Sequence, residues 1–187
     1  MNTSLNKITL LIAVTLLSGC SDKPIEFNDS ELMSMSKTYA KEYSNTLKSN
    51  LKTAIENGGI ENAIEFCNTN AIPLTDSISK AKQLSFSRVS HRNRNLLNKA
   101  SRFELSLIEQ YNQSKSKIPK LFQTGSQKLF YAPIYIDSPL CLNCHGTTQI
   151  SESVKSTLYE LYPNDLATGF SDGELRGLLK IIYDNPQ

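Results

Sequence analysis

Two cysteines and a histidine lie within five residues of one another, in the order Cys141, Cys144, His145. The spacing C-x-x-C-H suits one face of a helical turn, because residues three and four apart are neighbours on a helix. Thiols at this spacing reach the two vinyl groups of a haem, while the adjacent imidazole turns toward the iron. The motif therefore predicts one covalent haem c, attached through Cys141 and Cys144, with His145 as the proximal iron ligand.

The same motif has three other interpretations: a redox-active disulfide pair, half of a zinc site, and chance. A complete zinc site needs a second pair of ligands, for which only Cys67 and His91 remain. A thioredoxin-like pair begins a helix within a β-α-β unit, and Pro139 with His145 does not supply that context. Haem attachment is the interpretation that the residues favour.

The first twenty residues are typical of a bacterial export signal that ends in a lipid-modified cysteine. Lys7 precedes the apolar run ITLLIAVTLL, which is too short to span a bilayer as a helix. The following LSGC resembles the lipobox of bacterial lipoproteins, in which the chain is cut before the cysteine. We therefore expect a signal peptide in residues 1–19 and lipidation of Cys20. A cleaved soluble export and an uncleaved anchor are the alternatives.

Cleavage before Cys20 would leave a lipoprotein that faces the periplasm in a bacterial cell envelope. Ser21 rather than Asp follows the cysteine, which favours the outer membrane in enteric-type sorting. Loss of Lys7 reduces the basic residues from 20 to 19 against 18 acidic ones, a formal charge near +1. This balance argues against a nucleic-acid partner. The expected partners are the membrane, through the lipid anchor, and an unidentified redox or signalling protein.

Cys67 is the one cysteine that neither the lipid nor the haem motif uses, in a compartment that oxidises thiols. It shares a helical face with Ile60, Ala63 and Ile64, so we expect it to point inward. The sixth iron position is empty or is filled by Cys67, His91 or a methionine. Cys67 is the best candidate because it points inward without a disulfide partner. Its alternative role is that of a small buried hydrophobic residue.

The spacing of apolar residues predicts several helices in the first half of the chain. The stretch NDSE, residues 28–31, is typical of a capping box and begins a helix that runs to about Ile55. Gly58-Gly59 ends this helix, a second begins near Ile60, and Pro73 starts a third. Two further helices are expected over residues 102–111 and 151–161.

Strand character is concentrated in three segments: LSFSRVS (84–90), KLFYAPIYI (128–136) and ELRGLLKIIYD (174–184). The last directs Leu175, Leu179, Ile181 and Tyr183 to one face. These strands do not alternate with helices in β-α-β order, so the fold class is α+β with an antiparallel sheet. We expect a short polar tether in residues 20–28 and one domain in residues 29–187, because the chain has room for a single core.

Four stretches of this chain, in order, resemble a family of single-haem c-type domains with a PAS-like fold, free-standing or attached to bacterial sensor kinases. The cysteine before AxP and the ending YPxDxATG...GELRG are the more specific of the shared features. The stretches are AIEFCNTNAIPLT (63–75), SRVSHRNRN (87–95), FYAPIYIDSPLCLNCHG (130–146) and YPNDLATGFSDGELRG (162–177).

This resemblance implies a PAS-like antiparallel sheet, with a long N-terminal helix and additional helices around one haem. It also implies ligation of the iron by a histidine and a cysteine, which map onto His145 as the proximal and Cys67 as the distal ligand. Arginines suit haem propionates because the guanidinium fork matches a carboxylate. The candidates are Arg88, Arg92, Arg94 and Arg176, with Arg94 and Arg176 favoured because they lie in the shared motifs.

A thiolate ligand such as Cys67 stabilises ferric iron, so reduction favours its protonation or loss. The sequence therefore predicts a redox or gas sensor that passes a change of conformation to a separate protein, with a small gas as a second ligand of the iron. The alternative is a one-electron carrier, whose ligands stay bound in both oxidation states. We expect no enzymatic activity, because no catalytic set of residues is evident.

Overall fold

The computed structural model describes residues 28–184. The predicted signal peptide, Cys20 and the tether up to residue 27 lie outside the described residues, as do residues 185–187. The helices are α1 (Asp29–Lys82), a short 3₁₀ helix (Leu96–Asn98), α2 (Arg102–Ser114), α3 (Pro139–His145) and α4 (Glu152–Leu161). The strands are β1 (Ser85–Val89), β2 (Lys120–Thr124), β3 (Gln127–Tyr135) and β4 (Leu175–Asp184).

Helix α1 consists of two antiparallel arms, residues 29–57 and 60–82, that meet at Gly58-Gly59. Gly59 has φ +79°, a left-handed conformation that glycine adopts at little cost, and the backbone of both glycines is non-helical. Contacts between the arms show the reversal of direction: the Tyr43 hydroxyl lies 2.9 Å from the Thr75 hydroxyl. Near the turn, the Asn62 side-chain amide donates to the Ala54 carbonyl at 2.7 Å. The predicted break between the first two helices is thus present.

The predicted third helix does not exist as a separate element, because Pro73 lies inside the second arm. Proline removes one backbone hydrogen bond from a helix interior and normally breaks it. Two residues after the proline, the Thr75 hydroxyl is hydrogen-bonded to the Ala71 carbonyl and to the Tyr43 hydroxyl. One turn further on, Ile78 packs on the sheet. Packing of the turn after Pro73 therefore carries the helix through the proline to Lys82.

The four strands form one antiparallel sheet in the order β1-β4-β3-β2. This arrangement and the long N-terminal helix confirm the predicted α+β class. Strand β2 was missed by the sequence prediction. It is joined to β3 by a two-residue turn in which Gly125 has φ +58°, typical of a tight hairpin. The first three residues of KLFQT are half-buried and the last two are exposed. The sequence therefore lacks the clear alternation of apolar and polar residues by which a strand is recognised.

The sheet packs between α1 on one face and α2 on the other. Tyr43 of α1 stacks on Phe86 of β1, with ring centroids 5.6 Å apart. On the α2 side, Leu107 and Tyr111 pack in one buried cluster with residues of β3 and β4. No helix within residues 28–184 is both long enough and apolar enough to cross a membrane.

The prediction that the apolar residues of β4 share one face of the sheet is wrong for Leu175, the first residue of the strand. The pairing of β3 with β4 slips by one residue, so that Ile134 lies opposite Gly177 and Tyr135 opposite Leu175. The slip leaves Arg176 as the extra residue of a bulge, and a bulge reverses the alternation of side chains. Leu175 consequently packs with the α2-side cluster, whereas Leu179 packs with the α1-side cluster.

Glu104 is a buried carboxylate that links α2 to the sheet. It completes the capping box with Ser101 and accepts hydrogen bonds from the Tyr131 hydroxyl at 3.1 Å and from Lys180 at 3.0 Å. Burial by itself raises the pKa of Glu104, but the Ser101 N–H and Lys180 outweigh it and hold the pKa below its ordinary value. The bonds to the charged carboxylate are therefore expected to stabilise the fold.

A Glu104→Gln substitution is expected to lower the free energy of unfolding by about 2–3 kcal/mol at pH 7, because Lys180 loses its partner. Since the folded pKa lies below the unfolded one, the contribution is present above the unfolded pKa and disappears as the pH falls through the folded pKa. Urea unfolding at pH 7 and at acid pH measures both effects. Glu109→Gln, on the exposed side of α2, is the control. Equal stability of both variants at pH 7 would contradict the prediction.

Candidate functional site

A cavity of about 550 Å³ opens between the two arms of α1, helix α3 and the ends of β1, β3 and β4. Its volume lies within the roughly 300–1,000 Å³ of small-molecule and cofactor sites, and apolar side chains contribute much of its wall. The predicted site residues that line it are Cys67, Arg88, Arg94, Cys141, Cys144, His145 and Arg176. The fold thus brings together residues from four separate parts of the chain.

Helix α3 presents the C-x-x-C-H motif to this cavity. Ser138 caps the helix by accepting from the Leu140 N–H, and Pro139 occupies its first turn, where a missing N–H is harmless. Cys141 and Cys144 are both free thiols. Burial raises the pKa of Cys144 to about 11, so this thiol is uncharged at neutral pH. The motif therefore lies on one short helix, with two thiols available for covalent bonds.

The imidazole of His145 is held by the backbone of the loop that follows α4. Its Nδ1 lies 2.7 Å from the Ala167 carbonyl, which can only accept, so Nδ1 carries the proton and Nε2 carries the lone pair. Burial, followed by the charges of Arg94 and Arg176, holds the pKa of His145 well below its ordinary value. A neutral imidazole with one nitrogen free and the other bonded to a carbonyl is the usual state of a histidine that binds a metal.

The sequence D-L-A-T-G-F, residues 165–170, is bonded to the end of α3 through Ala167, Gly169 and Phe170; we call it the DLATGF loop. The Gly169 N–H donates to the Gly146 carbonyl at 2.7 Å, and the Phe170 N–H donates to the His145 carbonyl at 2.8 Å. Gly169 has φ +77°, which favours glycine at this position. The sequence indicated only a turn here, although the shared motif contains these residues. Their role is to support the histidine.

Cys67 lies on the second arm of α1 and faces the same cavity as Cys144 and His145. It is a free thiol beside the buried Ala63 and Ile64. Burial raises the pKa of Cys67, and the charges of Arg88 and Arg94 oppose this effect. The structure therefore places this thiol on the wall of the cavity that His145 also lines. Its predicted role as the distal ligand stays a prediction.

The four candidate arginines differ in their surroundings. Arg176 is half-buried, with no carboxylate within ion-pair distance in the described chain, and removal of its guanidinium from water lowers its pKa to about 9. One of its guanidinium nitrogens, Nη1, donates to the Ser90 hydroxyl and the Arg92 carbonyl. Arg88 also lines the cavity, with no ion pair among residues 28–184. Two half-buried cations that have no ion-pair partner within residues 28–184 suit the carboxylates of a bound group.

Arg94 and Arg92 are both engaged by the protein itself. Arg94 lines the cavity but pairs with Asp165 at 3.0 Å. Arg92 does not line the cavity: it lies 3.9 Å from the centre of the Phe170 ring and donates to the carbonyls of Leu166 and Thr168. The geometry thus favours Arg176 and Arg88 over Arg92 as contacts for an anionic ligand.

His91 and the methionines, the other candidates for the sixth position, do not line the cavity in the described part of the chain. The His91 ring packs edge-on against Phe170, with centroids 6.3 Å apart, and its Nδ1 is buried without a hydrogen-bond partner. His145 packs against the same Phe170 at the same centroid distance. Phe170 therefore contacts both histidines, and only His145 is also on the cavity wall.

Within residues 28–184, no group of three or more His, Cys, Asp or Glu side chains is arranged to hold a bare metal ion. The sheet is antiparallel throughout, so α3 does not begin inside a β-α-β unit. The cavity wall instead combines two neighbouring thiols, one free imidazole nitrogen and a further thiol. This set offers two points of covalent attachment and two axial donors, and it fits the haem that the sequence predicts.

Comparison with known proteins gives two matches. The model of the Tll0287-like family matches residues 23–183. A search of solved structures finds the crystal structure of the cyanobacterial heme-protein Tll0287, with a TM-score of 0.62 and 20% sequence identity; the match covers 86% of this chain and 99% of that one. No curated protein matches the chain. At this level of identity, the structural match concerns the fold.

Proposed function

Since the chain belongs to the Tll0287-like family, we propose that it is a haem protein whose cavity holds one covalently attached haem c. The observation that carries this proposal is the meeting of Cys141, Cys144, His145 and Cys67 on one cavity wall. The matched crystal structure is that of a heme-protein, which supports the proposal. The match to the family model extends over most of the chain and includes all four of these residues.

In this proposal, Cys141 and Cys144 would form the thioether bonds, and His145 would hold the iron through Nε2, the ring nitrogen that is not bonded to Ala167. Cys67 would be the second residue to hold the iron, since it is the remaining soft donor on the cavity wall. Arg176 and Arg88 are the proposed contacts of the propionates, because both lack an ion-pair partner in the described chain. A guanidinium and a carboxylate form short, charge-assisted hydrogen bonds.

We propose that the protein senses redox state or a small gas. The haem would supply a one-electron redox centre with one axial position that a gas can occupy. Cys67 is suited to release from the iron because it lies on the second arm of α1. This arm begins after the Gly58-Gly59 turn and ends at Lys82, shortly before β1. A thiolate binds ferric iron better than ferrous iron, so we expect Cys67 to be held in the oxidised protein and freed on reduction. The second arm is then the element that reports the change to a partner.

The alternative proposal is a one-electron carrier. It is favoured by the position of Leu140, which lines the cavity beside Cys141 and is itself 42% exposed, so the cavity wall reaches the protein surface there. Electron transfer requires ligands that remain in place in both oxidation states. In either case we propose that the protein is not an enzyme, and that a lipid on Cys20 anchors it in the cell envelope on the periplasmic side, with a separate redox or signalling protein as its partner.

Visible absorption spectra of the protein, matured in a periplasm that has haem-attachment machinery, separate the two functions. For a sensor we expect a low-spin ferric spectrum with thiolate character. On reduction, the spectrum should show a change of iron ligand, and the reduced protein should then bind carbon monoxide tightly. For a carrier, the same six-coordinate spectrum type persists in both states. A chain that carries no covalent haem after maturation would overturn both proposals.

A further inference from the structure

Arg94 and Asp165 form a buried ion pair behind the haem-binding motif. Their side chains are 12% and 9% exposed, and the Arg94 Nε and Nη2 lie 3.1 and 3.0 Å from the same oxygen of Asp165. Arg94 follows β1, whereas Asp165 follows α4, so the pair joins segments that are 71 residues apart. A pair that is this well buried needs further hydrogen bonds to offset the loss of water.

Those further bonds all go to the backbone around the motif. Arg94 Nη2 donates to the Cys144 carbonyl at 2.6 Å and to the Ala167 carbonyl at 3.4 Å. The other oxygen of Asp165 accepts from the Ala167 N–H at 2.7 Å. The Ala167 carbonyl is the same group that accepts from Nδ1 of His145. The ion pair thus holds Ala167 at both its N–H and its carbonyl.

We infer that Arg94 and Asp165 are positioning residues that fix the imidazole of His145. The pair holds the Ala167 carbonyl where it accepts from Nδ1, and this bond keeps Nε2 free on the cavity side. Through the Cys144 carbonyl, the same guanidinium also holds the end of helix α3. The inference rests on the proposed function, because it gives the pair a purpose only if His145 binds the iron.

This role differs from the propionate contact that the sequence suggested for Arg94. Two of its three nitrogens, Nε and Nη2, are already bonded to the protein, whereas Arg176 uses Nη1 alone among the bonds in the described chain. The Arg94 fork is required as well as its charge, since it contacts a carboxylate and two carbonyls at once. A lysine at this position keeps the charge but lacks the planar fork.

The test uses Arg94→Lys and Asp165→Asn in the full, haem-loaded protein. Nitric oxide weakens the iron bond opposite to it, so the ratio of six-coordinate to five-coordinate ferrous nitrosyl, read by electron paramagnetic resonance, reports how firmly His145 is held. Removing partners behind a metal-binding histidine costs roughly 10- to 100-fold in binding. We therefore expect the ratio to fall by about tenfold or more in both variants.

The matched control is Arg92→Lys. Arg92 is bonded to the same loop, at Leu166 and Thr168, but not to Ala167 or Cys144, so its variant should keep the wild-type ratio. A ratio unchanged in both test variants would overturn the inference, even if their melting temperatures fall, because the pair would then stabilise only the fold.

Two other outcomes are decisive as well. A fully five-coordinate wild-type nitrosyl would also overturn the inference, since His145 would not be firmly held. If Asp165→Asn yields no haem protein, Asp165→Glu, which retains the carboxylate, is compared in the same way. We expect its ratio to lie between those of the wild type and Arg94→Lys. A wild-type ratio in Asp165→Glu would count against the inference. Absence of covalent haem from the wild-type chain is a different result, which refutes the proposed function.

Discussion

A Cys141→Ala, Cys144→Ala double variant is expected to carry no covalently bound haem. Both thiols lie on α3 at the wall of one cavity, and within residues 28–184 the only other thiol is Cys67 on α1. Two thioether bonds need two thiols at the i, i+3 spacing of a helix, which Cys67 does not offer. Haem staining of the chain after separation under denaturing conditions is the measurement.

Two controls accompany this double variant. Cys67→Ala should retain full haem staining, because it leaves the motif intact. Melting of the backbone, followed by circular dichroism, shows whether the double variant still folds. Haem that stays on the double variant under denaturing conditions would refute covalent attachment at this motif and with it the central proposal.

Cys67→Ala is expected to change the ferric spectrum from low-spin with thiolate character to a form in which water or no ligand takes the sixth position. The reason is that no second soft donor within residues 28–184 lines the cavity apart from the motif cysteines. Loss of an anionic sulfur donor also removes a stabiliser of ferric iron, so we expect the reduction potential to rise. Visible and electron paramagnetic resonance spectra measure the first effect, and a redox titration measures the second.

Ile64→Val is the matched control for Cys67→Ala. It alters a buried neighbour on the same arm and the same cavity wall without removing a donor atom. Its spectrum and potential should remain those of the wild type, at a stability cost of about 0.5–1.5 kcal/mol. A Cys67→Ala spectrum that matches that of Ile64→Val would remove Cys67 from the iron.

The predictions that succeeded depend on local chemistry. The break in α1 could be foreseen because Gly58-Gly59 interrupts helical spacing, and the helix start predicted at Asn28 is present, with the Asn28 side chain accepting from the Glu31 N–H. The residues from Cys141 to His145 could be placed on one helical turn because their spacing is that of neighbours on a helix. In each case the signal and the structure span only a few neighbouring residues.

The predictions that failed required information from distant residues. Pro73 is a helix breaker by itself, yet contacts of the following turn with Tyr43 and the sheet keep it inside the second arm. The face of Leu175 was misjudged because the bulge at Arg176 is a property of the pairing between β3 and β4. Strand β2 was missed since its short, half-exposed sequence becomes a strand by pairing with β3.

The sequence by itself determined which side chains could hold a haem. These are two thiols and an imidazole at the C-x-x-C-H spacing, and an additional thiol on an inward helical face. These choices are local, since covalent chemistry and helical periodicity act over a few residues. Only the tertiary structure decided which arginines remain without a counter-charge, and that Arg94 and Asp165 together hold the carbonyl that orients His145. The physical reason is that burial and hydrogen-bond partners arise from segments far apart in the chain, which meet only when the fold closes.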